Sequence, residues 1–386
     1  MRWLDRLLNR ETRDTDVSWQ HLESTPLQGS VNPRAAENLS TVLACISAIS
    51  GSIASLPTYV YRWDGRERME DPTHPLTRLI HRGPNAWQTW PDFIEWLLAS
   101  TLLRGNGLAE VVTDNAGRVS ELKPIPWDHV AVHILPTGRL AYDVTEVAAV
   151  YGGRGTIRRL LQDEVIHLRD RTDDGLLGRS RLHRAAQAVH GAMSMQDFSG
   201  SMFGNGINPS GAIKVPSKLD PEQREKIRQG LADFKGPQNA AKALILEAGM
   251  EWQSISISPE DAELLASRRF SVEELARIYA VPPPIIGDLT NGTFTNAETV
   301  GRWFAQQTLA TWIRKVEAEF IRSVFSESSR MTHELEFDLS GFLRGDPETR
   351  WRSHEIAVKN GILTANEVRE VEGWNPRTDG EALTEE

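Results

Sequence analysis

Three consecutive prolines, Pro282-Pro283-Pro284, constrain this chain more than any other stretch. Proline lacks the amide donor and clashes with the preceding turn, so a helix reaching these residues must end there. One does reach them. Ser258-Pro259-Glu260-Asp261 has the capping chemistry of a helix start, and the pattern runs from it to about Tyr279, roughly 30 Å at the helical rise. Beyond the prolines lies the short polar stretch from Asp288 to Asn296. Thr295-x-x-Glu298 then opens another helix that continues to about Phe325, with Val300, Phe304, Ile313, Val316, Phe320 and Val324 among its apolar positions. At roughly 45 Å it is long for a compact domain. The chain must therefore hold two long helices joined by a proline break and a polar loop.

The rest predicts an α+β chain. Met1 to Arg10 mixes apolar and charged residues at helical spacing and reads as a short amphipathic docking helix; residues 11–33 read as a loose arm. A helix is expected over Asn38–Ala54, and a strand over Leu56–Tyr61 followed by a hairpin signal at Asp64-Gly65. Pro91–Leu103 reads as a helix stopped by Gly105-Asn106-Gly107. Strands follow at Leu108–Thr113, Val119–Leu122, Val130–Ile134, Tyr142–Val150 and Glu164–Leu168. Arg181–Phe203 reads as one helix. Next comes a small insert with a strand at Ala212–Val215, a capped helix from Asp220-Pro221-Glu222, and strands at Ala243–Glu247 and Glu251–Ile257. Asp346-Pro347-Glu348 and Thr364-x-x-Glu367 open two terminal helices, and Asp379–Glu386 is an acidic tail.

Composition excludes several functions. The apolar runs are far shorter than a membrane span, so no membrane association is expected. The formal net charge of -10 argues against a broad grip on nucleic acid, which requires clustered cations. It does not weigh against a surface past which a duplex slides, and it equally fits an ordinary solvated acidic surface. The single Cys45 sits in an apolar run and reads as a small core residue, leaving no disulfide and no cysteine-bound metal. There is no phosphate loop: Gly175-Leu-Leu-Gly178 has the wrong spacing and lacks the lysine. No dinucleotide fingerprint, nucleophile elbow or zinc-helix motif is present. His129 and His133 read as unrelated residues, and Asp170, Asp173 and Asp174, interleaved with Arg169 and Arg171, as a charged loop. Trp87, Trp90 and Trp96 suit either core packing or a subunit contact. No catalytic residue, cofactor or metal is expected.

Five stretches, in order, resemble the portal proteins of tailed phages, in the large family typical of long-tailed phages and also found in prophages and gene transfer agents. They are Arg82-Gly-Pro-Asn85 with Leu103-Arg-Gly-Asn-Gly107; Glu164–Arg169 with Asp174-Gly-Leu-Leu-Gly-Arg-Ser180; Phe203-Gly-Asn-Gly206 to Gly211; Phe270–Tyr279 with Val281-Pro282 and Ile286-Gly287; and Gly361–Arg369. The resemblance implies an elongated multi-part α+β subunit with long helices and small mixed sheets, acting in a homododecameric ring at one capsid vertex. Its parts would be an N-terminal arm (1–34), a wing (35–180), a first stem helix (181–205), a clip (206–257), a second stem helix (258–285), a tunnel loop (286–297), a long wing helix and strand (298–345), and a crown with the acidic tail (346–386).

The resemblance further implies double-stranded DNA, bound without sequence preference, as the content of the channel. The DNA-facing loop would be Leu289, Thr290, Asn291, Gly292, Thr293, Phe294, Thr295 and Asn296. Lacking any basic residue, it would brace or gate the duplex by fit and mobility. The clip, through Asp220, Glu222, Arg224, Lys226, Arg228 and Lys235, would dock the large terminase subunit and later the head–tail adaptor. The major capsid protein is a further implied partner, and the protein would be made in the bacterial cytoplasm and end in the virion. Two other readings stay open on residues alone: another ring-shaped adaptor or DNA clamp, and an enzyme using His167 with Asp170.

Overall fold

The computed structural model describes residues 20–21, 31–65, 67–146, 157–204, 211–214, 220–222, 251–254, 259–289, 297–340 and 347–378. Contacts divide the chain into two units: Met1–Ser24, Ala44–Ser180 and Ala280–Glu386 form the first, Thr25–Leu43 and Arg181–Tyr279 the second. Every pairing between described strands is antiparallel, so the α+β expectation holds.

In chain order, the early elements are β1 (Gln20–His21), α1 (Pro33–Glu37), α2 (Ser40–Ala54), β2 (Thr58–Trp63), β3 (Arg68–Glu70), α3 (Pro75–Arg82) and α4 (Trp90–Arg104). There follow β4 (Asn106–Thr113), β5 (Val119–Ile125), β6 (Val130–Ile134), β7 (Leu140–Thr145), β8 (Ile157–Leu161) and β9 (Val165–Arg169). The second unit holds α1 and the start of α2, then α5 (Arg181–Arg184), α6 (Ala186–Gly204), the β10–β11 pair (Gly211–Lys214, Glu251–Ser254) and α7 (Pro259–Tyr279). Back in the first unit come α8 (Ala297–Phe304), a π-helical turn (Ala305–Leu309), α9 (Ala310–Ser323), β12 (His333–Phe337), α10 (Pro347–Lys359) and α11 (Ala365–Val371).

Local chemistry explains the boundaries. Thr89 and Asp92 form a reciprocal capping box at the start of α4, and Gly105 ends it with φ +84°. Thr364 and Glu367 do the same for α11. Gly65 makes the β2–β3 turn at φ +97°. The prolines act as expected: α7 ends at Tyr279 and Pro283–Ile286 forms a short 3-10 turn. The structure departs from expectation in the longer features. Arg181–Phe203 is not one helix but α5 and α6, separated at Ala185. Strand β7 stops at Thr145, and β8 and α3 have no counterpart in the expected elements. The strands expected over Ala243–Glu247 and the acidic tail lie outside the described residues.

The first unit's core lies between two sheets, β5-β4-β9 and β1-β6-β7-β8. Leu108, Ile125 and Val165 from the first sheet meet Val132, Leu140, Tyr142, Val144 and Leu160 from the second, all at most 4% exposed. Each such side chain contributes about 2 kcal/mol by leaving water. The third sheet, β12-β2-β3, is covered on its inner face by α9, which reaches β12 and β9. Trp90 resolves one of the tryptophan alternatives: it is 4% exposed, its ring meets Phe320 edge-on, and its indole donates to Thr58 Oγ1 at 3.2 Å. Trp87 is 56% exposed. Cys45 is buried, and burial pushes its thiol up to about 12, as befits a core residue.

Candidate functional site

The polar loop after the prolines is held at both ends. On the entering side, Ile285 N–H donates to Pro282 O at 2.9 Å and Asp288 N–H to Pro283 O at 3.0 Å, with Gly287 in the left-handed region at φ +88°. Leu289, the first residue of the expected DNA-facing set, is 58% exposed. Thr290 to Asn296 lie outside the described residues. On the leaving side, α8 packs against the 283–286 turn, so the two ends of the loop meet at a common base. Thr308, in the π-helical turn, donates to Ala280 O at 2.5 Å. Ala280 itself has φ +56°, a conformation that an alanine holds only under tertiary constraint. The turn of π-helix inserts one extra residue into the ladder, and it buries Ala305, Thr308 and Leu309 together.

From that base, α9 is pinned along β9. Lys315 Nζ donates to Arg169 O at 3.2 Å. The backbone N–H of His167 donates to Glu319 Oε1 at 2.7 Å. Arg322 pairs with Glu319 at 2.6 Å and donates to Val165 O at 3.1 Å and Gln162 O at 3.3 Å. Glu317 accepts from Phe337 N–H at 3.0 Å on β12, and burial pushes its carboxyl up to about 7.

Strand β9 leads to the polar centre of the first unit, where two motif stretches far apart in sequence meet. Asn106 Nδ2 donates to Gly178 O at 2.8 Å, and Gly178 N–H donates back to Asn106 Oδ1 at 2.9 Å. Ser180 Oγ donates to Leu103 O at 2.7 Å, and Asp170 N–H to Gly105 O at 2.8 Å. No side chain fits between: a Cβ on Gly178 would run into Gly105 O and lie 2.9 Å from Asp170 N, and one on Gly105 would lie 2.6 Å from Gly178 O. Glycine at both positions is thus a packing requirement of this clasp.

His167 belongs to the same clasp. Its Nε2–H faces Asn106 Oδ1 at 2.9 Å, while Nδ1 accepts from Arg169 Nε at 3.2 Å and lies 2.8 Å from the Tyr142 hydroxyl. Trp127 stacks on the ring at 5.3 Å between centroids. Burial holds the imidazole well below its usual range, helped by the positive charges of Arg169 and Arg322. Burial pushes Tyr142 up to about 12. With its ring nitrogens committed to Asn106, Tyr142 and Arg169, the enclosed His167 has no free nitrogen to offer a substrate, and its role in the clasp is structural. The aspartates after it cap their own loop: Asp170 accepts from Arg171 N–H, Asp174 from Leu176 and Leu177 N–H, and Asp173 pairs with Arg179. His133 lies 3.2 Å from Asp143 within the β6–β7 pair. Among the described residues there is no group of side chains arranged to hold a metal, and no helix long and apolar enough to cross a membrane.

Of the expected clip residues, Asp220 and Glu222 are exposed, with Glu222 at a helix start. Arg224, Lys226, Arg228 and Lys235 lie outside the described residues. The anchoring residues Asn106, Thr308, Glu319 and Arg322 carry no motif signal beyond the Gly-Asn-Gly string around Asn106.

A family model described as phage portal protein matches residues 40–373. The chain is 29% identical over 357 residues to the portal protein of Enterobacteria phage HK97, covering 91% of this chain and 82% of that one. It is 28% identical over 389 residues to the probable portal protein of Streptomyces phage phiC31, covering 98% of this chain and 84% of that one. A chain in the virion of a native gene transfer agent particle superposes with a TM-score of 0.64 at 24% identity, over 92% of this chain and 96% of that one, which shows a shared fold.

Proposed function

The chain belongs to the phage portal protein family and serves as a capsid portal; on that premise we propose that it is one subunit of a dodecameric ring at a particle vertex, the channel for double-stranded DNA. In this reading residues 35–180 are the wing, 181–205 and 258–285 the stem, 206–257 the clip, 298–345 the long wing helix and strand, and 346–386 the crown. The stretch 289–296 is the part that faces the duplex. The observation that carries the loop's role is its base: the 283–286 turn and α8 pack together, and Thr308 ties that base to Ala280. A loop on such a base transmits a push on its tip to α9 and thence to β9.

Charge supports a sliding contact. Asp288 to Asn296 contains no Lys or Arg, so it cannot neutralise phosphates as a gripping site does. Thr, Asn and Gly contact a backbone without reading bases. The role is structural, with no catalytic residue assigned. The clip, through Asp220, Glu222, Arg224, Lys226, Arg228 and Lys235, docks the large terminase subunit and then the head–tail adaptor, while the major capsid protein surrounds the ring. The protein is a component of the virion or of a gene transfer agent particle.

Electron microscopy of the purified protein tests the ring: end-on views should show a central hole, and monomers alone at every salt and protein concentration would count decisively against it. Deleting Asn291 to Phe294 tests the loop. Rings should still assemble while packaging or retention of DNA falls; packaged genomes of normal length and number in that variant would overturn the loop's role.

A further inference from the structure

The outer face of the β12-β2-β3 sheet carries a feature that the portal role leaves unused. Strand alternation puts Tyr59, Tyr61 and Trp63 of β2 on this face, and Val60 and Thr58 on the buried one. The registers place Glu336 opposite Tyr59, Glu334 and Glu70 on either side of Tyr61, and Arg68 opposite Trp63. The result is a row of three aromatic rings flanked by three carboxylates and one guanidinium. Tyr59 and Tyr61 lie 6.1 Å apart between centroids, and Trp63 is 41% exposed. At the β12 edge the N–H of Phe337 donates to Glu317 of α9, while all three residues of β3 are exposed. The face is therefore open on the β3 side.

This face already binds one guanidinium. Arg68 lies 3.8 Å above the Tyr61 ring and pairs with Glu334 at 3.3 Å and with Glu336. A planar cation stacks on a ring while its N–H groups reach carboxylates, a combination that lysine does not reproduce. With Arg68 counted, three carboxylates face one cation, so the surface keeps a net negative charge and two further rings for an incoming arginine.

The chain itself carries a matching segment. Arg2, Arg6 and Arg10 recur every four residues, with Arg13 three further on, and Trp3, Leu4, Leu7 and Leu8 between them. A helix with that spacing would carry the arginines along one face. From Met1 to Arg13 there are four arginines against Asp5 and Glu11. This segment lies outside the described residues, and the ten residues from Arg10 to Gln20 of β1 can span about 33 Å when extended.

We propose that the aromatic–acidic face formed by Tyr59, Tyr61, Trp63, Glu70 and Glu334 is the docking surface for the arginine-bearing N-terminal segment, Met1 to Arg13. The segment seats its arginines against the rings and carboxylates beside Arg68, and so fastens the arm to the third sheet. The inference does not depend on the DNA-channel reading.

The test uses the full chain with Trp3→p-benzoylphenylalanine, photolysed at low and at high salt, with the adducts mapped by mass spectrometry. Adducts on 58–70 or 333–337 are expected, in the same copy or a neighbouring one, with lower yield at high salt. A free peptide of residues 1–13 should compete. Replacing Arg2, Arg6 and Arg10 together by Lys keeps the charge, and should still reduce the yield several-fold. Glu70→Gln, which leaves the Arg68 pairs intact, should also reduce it, and an unchanged circular dichroism spectrum certifies the fold. Adducts mapping elsewhere, or no adducts, overturn the proposal. So does a yield indifferent to both the lysine exchange and Glu70→Gln.

Discussion

Asn106 is the residue whose removal the structure makes most costly for its size. Asn106→Ala deletes three hydrogen bonds at once: Nδ2 to Gly178 O, Gly178 N–H to Oδ1, and His167 Nε2–H to Oδ1. Asn106 is 3% exposed, His167 1%, and Gly178 is buried. The partners therefore lose their bonds without gaining water. Each stranded buried group costs about 1–3 kcal/mol, so three of them sum to roughly 3–6 kcal/mol once some relaxation is allowed. That is a large share of the about 5–15 kcal/mol available to a folded domain. The loss corresponds to a fall of about 10 °C or more in the unfolding temperature of the first unit. Differential scanning calorimetry and urea titration followed at the tryptophans measure it. Asn115→Ala, in the exposed turn between β4 and β5, is the comparator and should stay within about 0.5 kcal/mol of the parent. A loss at Asn106 below about 1 kcal/mol, or equal to that at Asn115, would falsify the claim that this clasp holds Gly105 and Gly178 together.

Three further outcomes follow from individual contacts. Glu317 has its carboxyl raised from the usual 4.5 to about 7, so its folded-state penalty is absent below about pH 4.5 and complete above about pH 7. Glu317→Gln, which keeps the acceptor for Phe337, should be neutral near pH 4 and stabilising by about 2 kcal/mol near pH 8, after discounting for partial exposure; equal gains at both pH values in denaturant titrations would contradict this. His74 is lowered from 6.5 to about 4, first by burial and then by the charge of His333. It therefore contributes stability above about pH 6.5 that is lost as pH falls toward about 4. His74→Asn retains a helix cap, and should flatten that acid slope by about 2 kcal/mol; a parallel pH profile would rule out His74 as its source. Thr308→Val removes the bond to Ala280 O without changing shape and should cost about 1 kcal/mol, read as a lower urea midpoint at constant slope.

Much of the fold was legible because its signals are local. A capping box such as Thr89 with Asp92 spans three residues, and a proline acts on the turn before it, so helix ends at Arg104, Tyr279 and Val371 followed from the chain alone. The break at the prolines was legible for the same reason, and so was the family, from short strings in fixed order. Strand β8 has little local signal because Ile157–Leu161 holds two adjacent arginines, whose carboxylate partners Glu110 and Asp143 stand 48 and 16 residues earlier on β4 and β7. The break at Ala185 and the π-helical turn at Ala305–Leu309 have no proline or glycine to announce them. His167 gives the clearest contrast. In sequence it stands beside an aspartate and suits a catalytic pair; in the structure it is enclosed by Asn106, Tyr142, Trp127 and Arg169. By itself the sequence determined where helices start and stop, and which polar stretch lies between the two long ones. Tertiary structure alone decided which distant polar groups satisfy one another, since Asn106 and Gly178 are 72 positions apart and only packing brings them into direct reciprocal hydrogen bonds.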